Sequence, residues 1–202
     1  SNNTGNNLHR NVIYRDGKAK ADQAVPFTTA DSENPEDLWK WMQAYEEKTG
    51  GNVLAIAHNG NLSNGRMFPL IESFTNKPVD REYVEKRAHW ERLYEATQTK
   101  GDSETYPALA TEDTFADFER YTFYIQASPA PYQPGEGDFV RSALKRGLRI
   151  GQEYGINPYQ FGLIGSSDAH TGLAAMEEDN FFGKTTPQEP SPERIAATFF
   201  SN

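Results

Sequence analysis

A carboxylate and an imidazole stand two residues apart at Asp168 and His170, within Gly165-Ser166-Ser167-Asp168-Ala169-His170-Thr171-Gly172. Leaving an extended strand, such a pair can point to one side, because strand side chains alternate. Oxygen and nitrogen donors of this kind suit zinc, manganese or iron. The same residues also suit a turn in which Asp168 accepts from backbone amides and His170 is merely exposed. A second imidazole, His58, stands at the mouth of the apolar run Val53-Leu54-Ala55-Ile56-Ala57 and precedes Asn59-Gly60-Asn61. Asn59 and Asn61 can donate to an oxyanion, and Gly60 and Gly65 permit tight turns with exposed amides. The plainer alternative is a loop held by asparagine side chains. A third place runs from Leu93 to Glu104. There Glu95 could act as ligand or base, Lys100 as an anion contact, and Asp102 and Glu104 as supporting groups, with Asp102 reading better as solvated surface. His9 and Arg10 form a fourth pair beside the first strand, whereas His89, next to Trp90 in a predicted helix, reads as structural.

Other chemistries drop out. The chain has no cysteine, which removes disulfides, thiolate metal sites and cysteine nucleophiles together. Gly165-Ser166-Ser167 lacks the Gly-x-Ser-x-Gly pattern of a nucleophile elbow. Gly183-Lys184-Thr185 resembles the end of a P-loop, but Glu178 stands where the first glycine must be. With 29 acidic against 20 basic residues, the net charge of -9 argues against a nucleic-acid surface, which needs clustered Lys and Arg. Mean hydropathy is -0.78, and no run approaches the roughly 18 apolar residues of a membrane span. Twelve Phe, ten Tyr and three Trp supply a real core, and 202 residues suit one domain or two small ones.

The elements that must position these residues follow from periodicity. A strand is predicted over Arg10 to Arg15, closed by Asp16-Gly17. Asn34 can cap a helix opened by Pro35 and stopped by Gly50-Gly51, with Leu38, Trp41, Met42 and Tyr45 as its apolar face. Val53 to Ala57 reads as a buried strand. Asp80 can cap a helix over Arg81 to Trp90, and Leu93 to Thr97 reads as a strand. A short helix is predicted over Thr114 to Tyr121, and a longer one from Asp138 to Tyr154 with Val140, Leu144, Gly147, Leu148 and Gly151 inward. Phe161 to Ser167 is the next strand, and Ser191 caps a last helix from Pro192 to Phe200. Helix then strand, three times over, is α/β grammar, and ligands in parallel α/β folds sit beyond strand carboxyl ends. His58, Glu95 and Asp168 occupy such ends.

Taken together, Asn6-Asn7-Leu8-His9-Arg10-Asn11, Ala57-His58-Asn59-Gly60-Asn61-Leu62-Ser63-Asn64-Gly65, Tyr94-Glu95-Ala96-Thr97-Gln98 with Lys100-Gly101-Asp102-Ser103-Glu104, and Ile164 to Gly172 resemble the PHP (polymerase and histidinol phosphatase) superfamily. Within it they are most similar to an uncharacterised bacterial branch known only as a domain of unknown function. The resemblance implies part of a distorted (β/α)7 TIM-like barrel, with a divalent metal centre at the strand carboxyl ends and phosphoester hydrolysis as its activity. It implies His58, Asp168 and His170 as metal ligands and Glu95 and Lys100 as catalytic groups. Asn59, Asn61, His9, Arg10 and Glu104 would then bind a small anionic substrate. The superfamily's opening His-x-His motif does not occur here. The chain is therefore expected to be the later portion of a longer protein, a single incomplete barrel lacking its first strands. Metal would bind it weakly or not at all, and its open strand edges would pair with the missing segment or with another copy. The alternative is a binding or structural domain without a working metal centre. Neither nucleic acid nor membrane is expected as a partner.

Overall fold

The computed structural model describes residues 7–124, 131–170, 179 and 184. They belong to two compact units, Ser1–Ile164 and Gly165–Asn202. In chain order the elements are β1 (Arg10–Tyr14), α1 (Lys18–Ala21), α2 (Pro35–Thr49), β2 (Val53–Ala57), α3 (Arg81–Trp90), β3 (Leu93–Gln98), β4 (Gly101–Asp102), α4 (Val140–Tyr154) and β5 (Gly162–Gly165). Single 3-10 turns at Gly60–Leu62, Pro107–Leu109 and Glu136–Asp138 complete them.

Local chemistry sets the helix ends. Asn34 accepts from the Glu36 amide at 3.1 Å, Pro35 fills the first turn, and Gly50 closes α2 in the left-handed conformation at φ 61°. Asp80 accepts from the Tyr83 amide at 2.9 Å and starts α3. α2 buries Leu38, Trp39, Met42 and Tyr45; Trp41, expected on that face, is only half-buried. α4 turns Val140, Ala143, Gly147 and Ile150 inward. Leu144 and Leu148, expected inside, are 40% and 67% exposed. The apolar stripe runs one step round from the predicted one, because Gly147 packs its bare backbone against Asn157. Thr114 to Tyr121 forms successive turns rather than a helix, with amides bonding three residues back (Ala116 to Asp113, Phe118 to Phe115). The last predicted helix, Pro192 to Phe200, lies outside the described residues.

The sheet is mixed and open, in the order β1-β2-β3-β4, with β5 also paired to β3. This overturns the expected (β/α)7 barrel: the described strands do not close on themselves, and β1 runs antiparallel to β2 while β4 runs antiparallel to β3. The cause lies in the connection from β1 to β2. A barrel crossover traverses the sheet once, as a helix. Here the chain first runs back along α2 through turns and irregular segments. Gln23 accepts from Lys48 and Val25 from Trp41 before the chain reaches Asn34, and α2 then travels forward again. Two traverses return the chain to the end of β1 where it left, so Tyr14 pairs with Val53 and the strands oppose. Only a helix-and-strand alternation was visible in the sequence, and that pattern does not count traverses.

The core lies on one sheet face. Ala55 and Ala57 of β2 and Tyr94 of β3 meet Trp39, Met42, Phe68, Val84 and Tyr159 there, all at most 1% exposed. Inside it, Glu91 accepts from Arg10 Nε and Trp39 Nε1, both at 2.9 Å, and pairs with Arg87 at 2.9 Å.

Candidate functional site

Strand register builds the site. β1 and β2 pair with Arg10 opposite Ala57, so the next residues outward, His9 and His58, are also opposite each other. The His58 amide donates to the His9 carbonyl at 3.3 Å, and the two rings lie 5.8 Å apart. β2 and β3 are parallel with Ala57 beside Tyr94, which places Glu95 beside His58. His9, His58 and Glu95 therefore form one row across three neighbouring strands. Because Ala57 and Tyr94 face the core, alternation turns this row to the opposite face of the sheet. Glu95 Oε2 lies 3.2 Å from His58 Nδ1, and both side chains are buried.

The loop after β2 closes over the row. Asn59 adopts φ 59°, a left-handed conformation that asparagine tolerates better than most residues. Its Nδ2 lies 3.0 Å from His58 Nδ1, while its Oδ1 accepts from the Gln98 side chain. His58 Nδ1 thus has two near neighbours: protonated, it stands within ion-pair distance of Glu95; unprotonated, it accepts from Asn59. Gly60 is required by space, since a Cβ there would stand 2.2 Å from the Tyr94 hydroxyl and 2.5 Å from the Asp138 carbonyl. Asn61 bonds internally, donating to the Lys100 carbonyl at 2.9 Å and accepting from Ser103 at 2.8 Å. Its amide thereby ties the loop to the β3–β4 turn. Asp138 anchors the far side, accepting from Ser63 Oγ at 2.6 Å and the Gly135 amide at 2.8 Å.

Charge around the row is uneven. Lys100 is 6% exposed, a buried cation whose charge is felt at His9. Loss of hydration around the ring, then the charges of His58, Lys100 and Arg10, lower His9 to about 4, so it is a neutral imidazole at pH 7. Burial raises Asp138 to about 6 against the pull of its donors.

Of the other expected site residues in the first unit, Arg10 and Glu104 fall outside the row. Arg10 is committed to Glu91, with both side chains 2% exposed. Glu104 lies at the surface and pairs with Arg141 at 2.7 Å. His89 is exposed, its ring edge-on to Trp90 at 4.4 Å. Asp168 and His170 belong to the second unit. There Asp168 Oδ1 lies 3.1 Å from His170 Nε2, and the Lys184 ammonium bonds both the carboxylate and the carbonyl of Asp168. Lys184 Nζ is also 3.4 Å from His170 Nε2.

Sequence reasoning passed over Lys184, Ser103 and Asp138. Asp138 carried a faint signal, an acidic residue between Gly137 and an apolar helix start. Lys184 was met only as the tail of a P-loop-like run that was set aside, and its partner is 16 residues away.

A divalent metal is tested by these donors. Two imidazoles and a carboxylate are a set that zinc, manganese or iron accepts, and a neutral His9 offers the lone pair a ligand needs. In donor chemistry the row His9, His58 and Glu95 fits. Among the described residues no group of three or more His, Asp or Glu is arranged to hold an ion. In the second unit, Lys184 puts positive charge where an ion on Asp168 and His170 would sit.

The fold and the row define a mixed α/β protein with a buried histidine–carboxylate pair, His58 after β2 and Glu95 on β3. A family model described as a protein of unknown function, DUF3604, matches residues 1–201, and the chain belongs to that family. No curated protein and no solved structure matches it.

Proposed function

We propose that the chain carries a PHP-like hydrolytic site for small anionic esters, phosphoesters foremost, at His9, His58, Glu95 and Lys100. The observation that carries this reading is the row itself, two imidazoles and a carboxylate brought side by side by strand register, with His58 and Glu95 buried away from bulk water and His9 at the exposed end. Glu95 orients the His58 ring through Nδ1, which leaves Nε2 as the nitrogen to take and return a proton. Lys100 supplies positive charge for the anionic group, worth more in a buried site than at the surface. Asn59 fixes the second position of Nδ1, and Asn61 and Asp138 hold the loop that carries it. If a divalent ion binds, His9, His58 and Glu95 would hold it, and it would supply a more acidic bound water and charge stabilisation.

Asp168 and His170 remain a proposed second pair of ligands. The pairing of Lys184 with Asp168 favours the rival reading for that unit, a binding element without metal. Besides the substrate, the proposed partner is another chain segment at the open sheet edges, where Ile13 and Leu163 are 49% and 51% exposed. Elemental analysis after dialysis against a mild chelator tests the metal question. The reading expects little retained metal, and a stoichiometric ion would contradict it.

The test of activity compares the wild type with Glu95→Gln, His58→Ala and Lys100→Met on an aryl phosphate, with and without added zinc or manganese. Turnover by the wild type and a loss of roughly 100-fold or more in the first two variants is expected, the usual contribution of proton transfer. Equal rates in wild type and Glu95→Gln would sink the assignment.

A further inference from the structure

We propose that the chain pairs with a second copy of itself, the loop over residues 111–123 of each copy docking on the outer stripe of α4 of the other.

Two exposed apolar patches of the first unit carry this, and they are flanked by opposite charges. On the loop, Phe115 and Phe118 are 81% and 66% exposed, with the exposed carboxylates of Glu112 and Asp117 beside them. On α4, Leu144 and Leu148 are 40% and 67% exposed, with the exposed cations Lys145 and Arg149 beside them. Spacings of three and four residues put Arg141, Leu144, Lys145, Leu148 and Arg149 on one stripe of the helix. That stripe faces away from the side that buries Ala143, Gly147 and Ile150.

The two patches adjoin. Arg141, at the head of the stripe, pairs at 2.6 Å with Asp113, two residues before Phe115. One surface therefore runs from an acidic aromatic end to a basic aliphatic end, with the Arg141–Asp113 pair between them. A two-fold rotation about that midpoint makes such a surface its own complement. Each loop then meets the other copy's helix, carboxylates face cations, and phenylalanine packs on leucine. The four side chains leave on the order of 500 Å² of hydrocarbon uncovered on each copy. That matches the apolar share of the roughly 800 Å² that one partner gives to a stable interface. The loop is already tied down, to α4 through Asp113 and to β4 through the Glu119 carbonyl, which accepts from the Asp102 amide at 2.9 Å. Little ordering is left to oppose docking. An anionic membrane or an acidic protein would suit the α4 stripe and be repelled by the loop. A second copy satisfies both ends at once.

Sedimentation equilibrium of the whole 202-residue chain tests this with two charge-reversed proteins. One carries Lys145→Glu with Arg149→Glu, the other Glu112→Lys with Asp117→Lys. The wild type is expected to dimerise with a Kd on the order of micromolar. Each reversed protein alone sets like charges against each other at both contacts, and its self-association should weaken about 100-fold. All four positions are exposed, so thermal midpoints should stay close to that of the wild type. Mixed in equal amounts, the two proteins should pair with each other nearly as tightly as the wild type pairs with itself. In that mixed dimer one contact carries both reversals and the other carries none. A wild type that is monomeric at about 100 µM would overturn the proposal and assign the patches to other occupants. Reversed proteins that associate like the wild type, or a mixture that fails to restore pairing, would overturn it too.

Discussion

His58 Nδ1 is the atom on which the proposed chemistry turns, because Glu95 at 3.2 Å and Asn59 at 3.0 Å compete for it. Asn59→Ala removes one competitor and should hold Nδ1–H on Glu95. The expected outcome is a shifted pH–rate profile with the thermal midpoint little changed, read by kinetics and calorimetry side by side. Two further groups give a pH signature of stability. His9 drops from 6.5 to about 4 on folding, so between those values the unfolded chain binds a proton that the folded chain does not. Its contribution is present above pH 6.5 and is lost as pH falls toward 4. Asp138 rises from 3.8 to about 6, so its effect has the opposite sign: stability is favoured below pH 4 and lost as pH rises through 6. Urea midpoints measured from pH 4 to 7 should therefore fall less on acidification in His9→Gln, and more in Asp138→Asn, than in the wild type. Identical slopes in all three proteins would show that neither group titrates as described. At this scale the sequence located His58, which directly follows β2, and Glu95, which lies on β3. It was not for Lys184 or Asp138, whose partners come from distant loops.

The elements explain why. β2 was legible residue by residue as an apolar run, and its loop follows the plainer of its two readings, held by the Asn59 and Asn61 side chains. The caps Asn34 and Asp80 act where their types predict. Pairing was not legible: β4 is two residues long, and the direction of β1 depends on how often the intervening chain crosses the sheet. Yet pairing is what makes the site, since only the β1–β2 and β2–β3 registers put His9 and Glu95 on either side of His58. The Gly60 turn is the element most sensitive to change. Gly60→Ala should cost about 1–3 kcal/mol through the clash with Tyr94 and Asp138, and should reduce activity by displacing His58. Denaturant unfolding alongside the phosphate assay checks both, and an unchanged midpoint would mean that the loop is looser than its contacts.

For the whole molecule, a core on one sheet face and a site on the other make stability and function separable. The Arg10–Glu91–Arg87 network belongs to the core. Glu91→Ala would leave two buried guanidinium groups facing each other and should cost about 3–5 kcal/mol, seen as a lowered urea midpoint. Among the described residues no helix is long and apolar enough to cross a membrane. The α/β class was readable from composition and periodicity. The incomplete (β/α)7 barrel was carried by family likeness, and a mixed, open sheet with antiparallel β1 and β4 stands in its place.

The most direct test of the row as an anion-binding, proton-handling unit is the imidazole NMR spectrum during titration with phenylphosphonate. The chain has four histidines, which can be assigned by single substitution. The account predicts that the His9 and His58 resonances move together and saturate at one midpoint, while exposed His89 stays still. Movement of neither His9 nor His58 at saturating ligand, or movement of His89 alone, would contradict it.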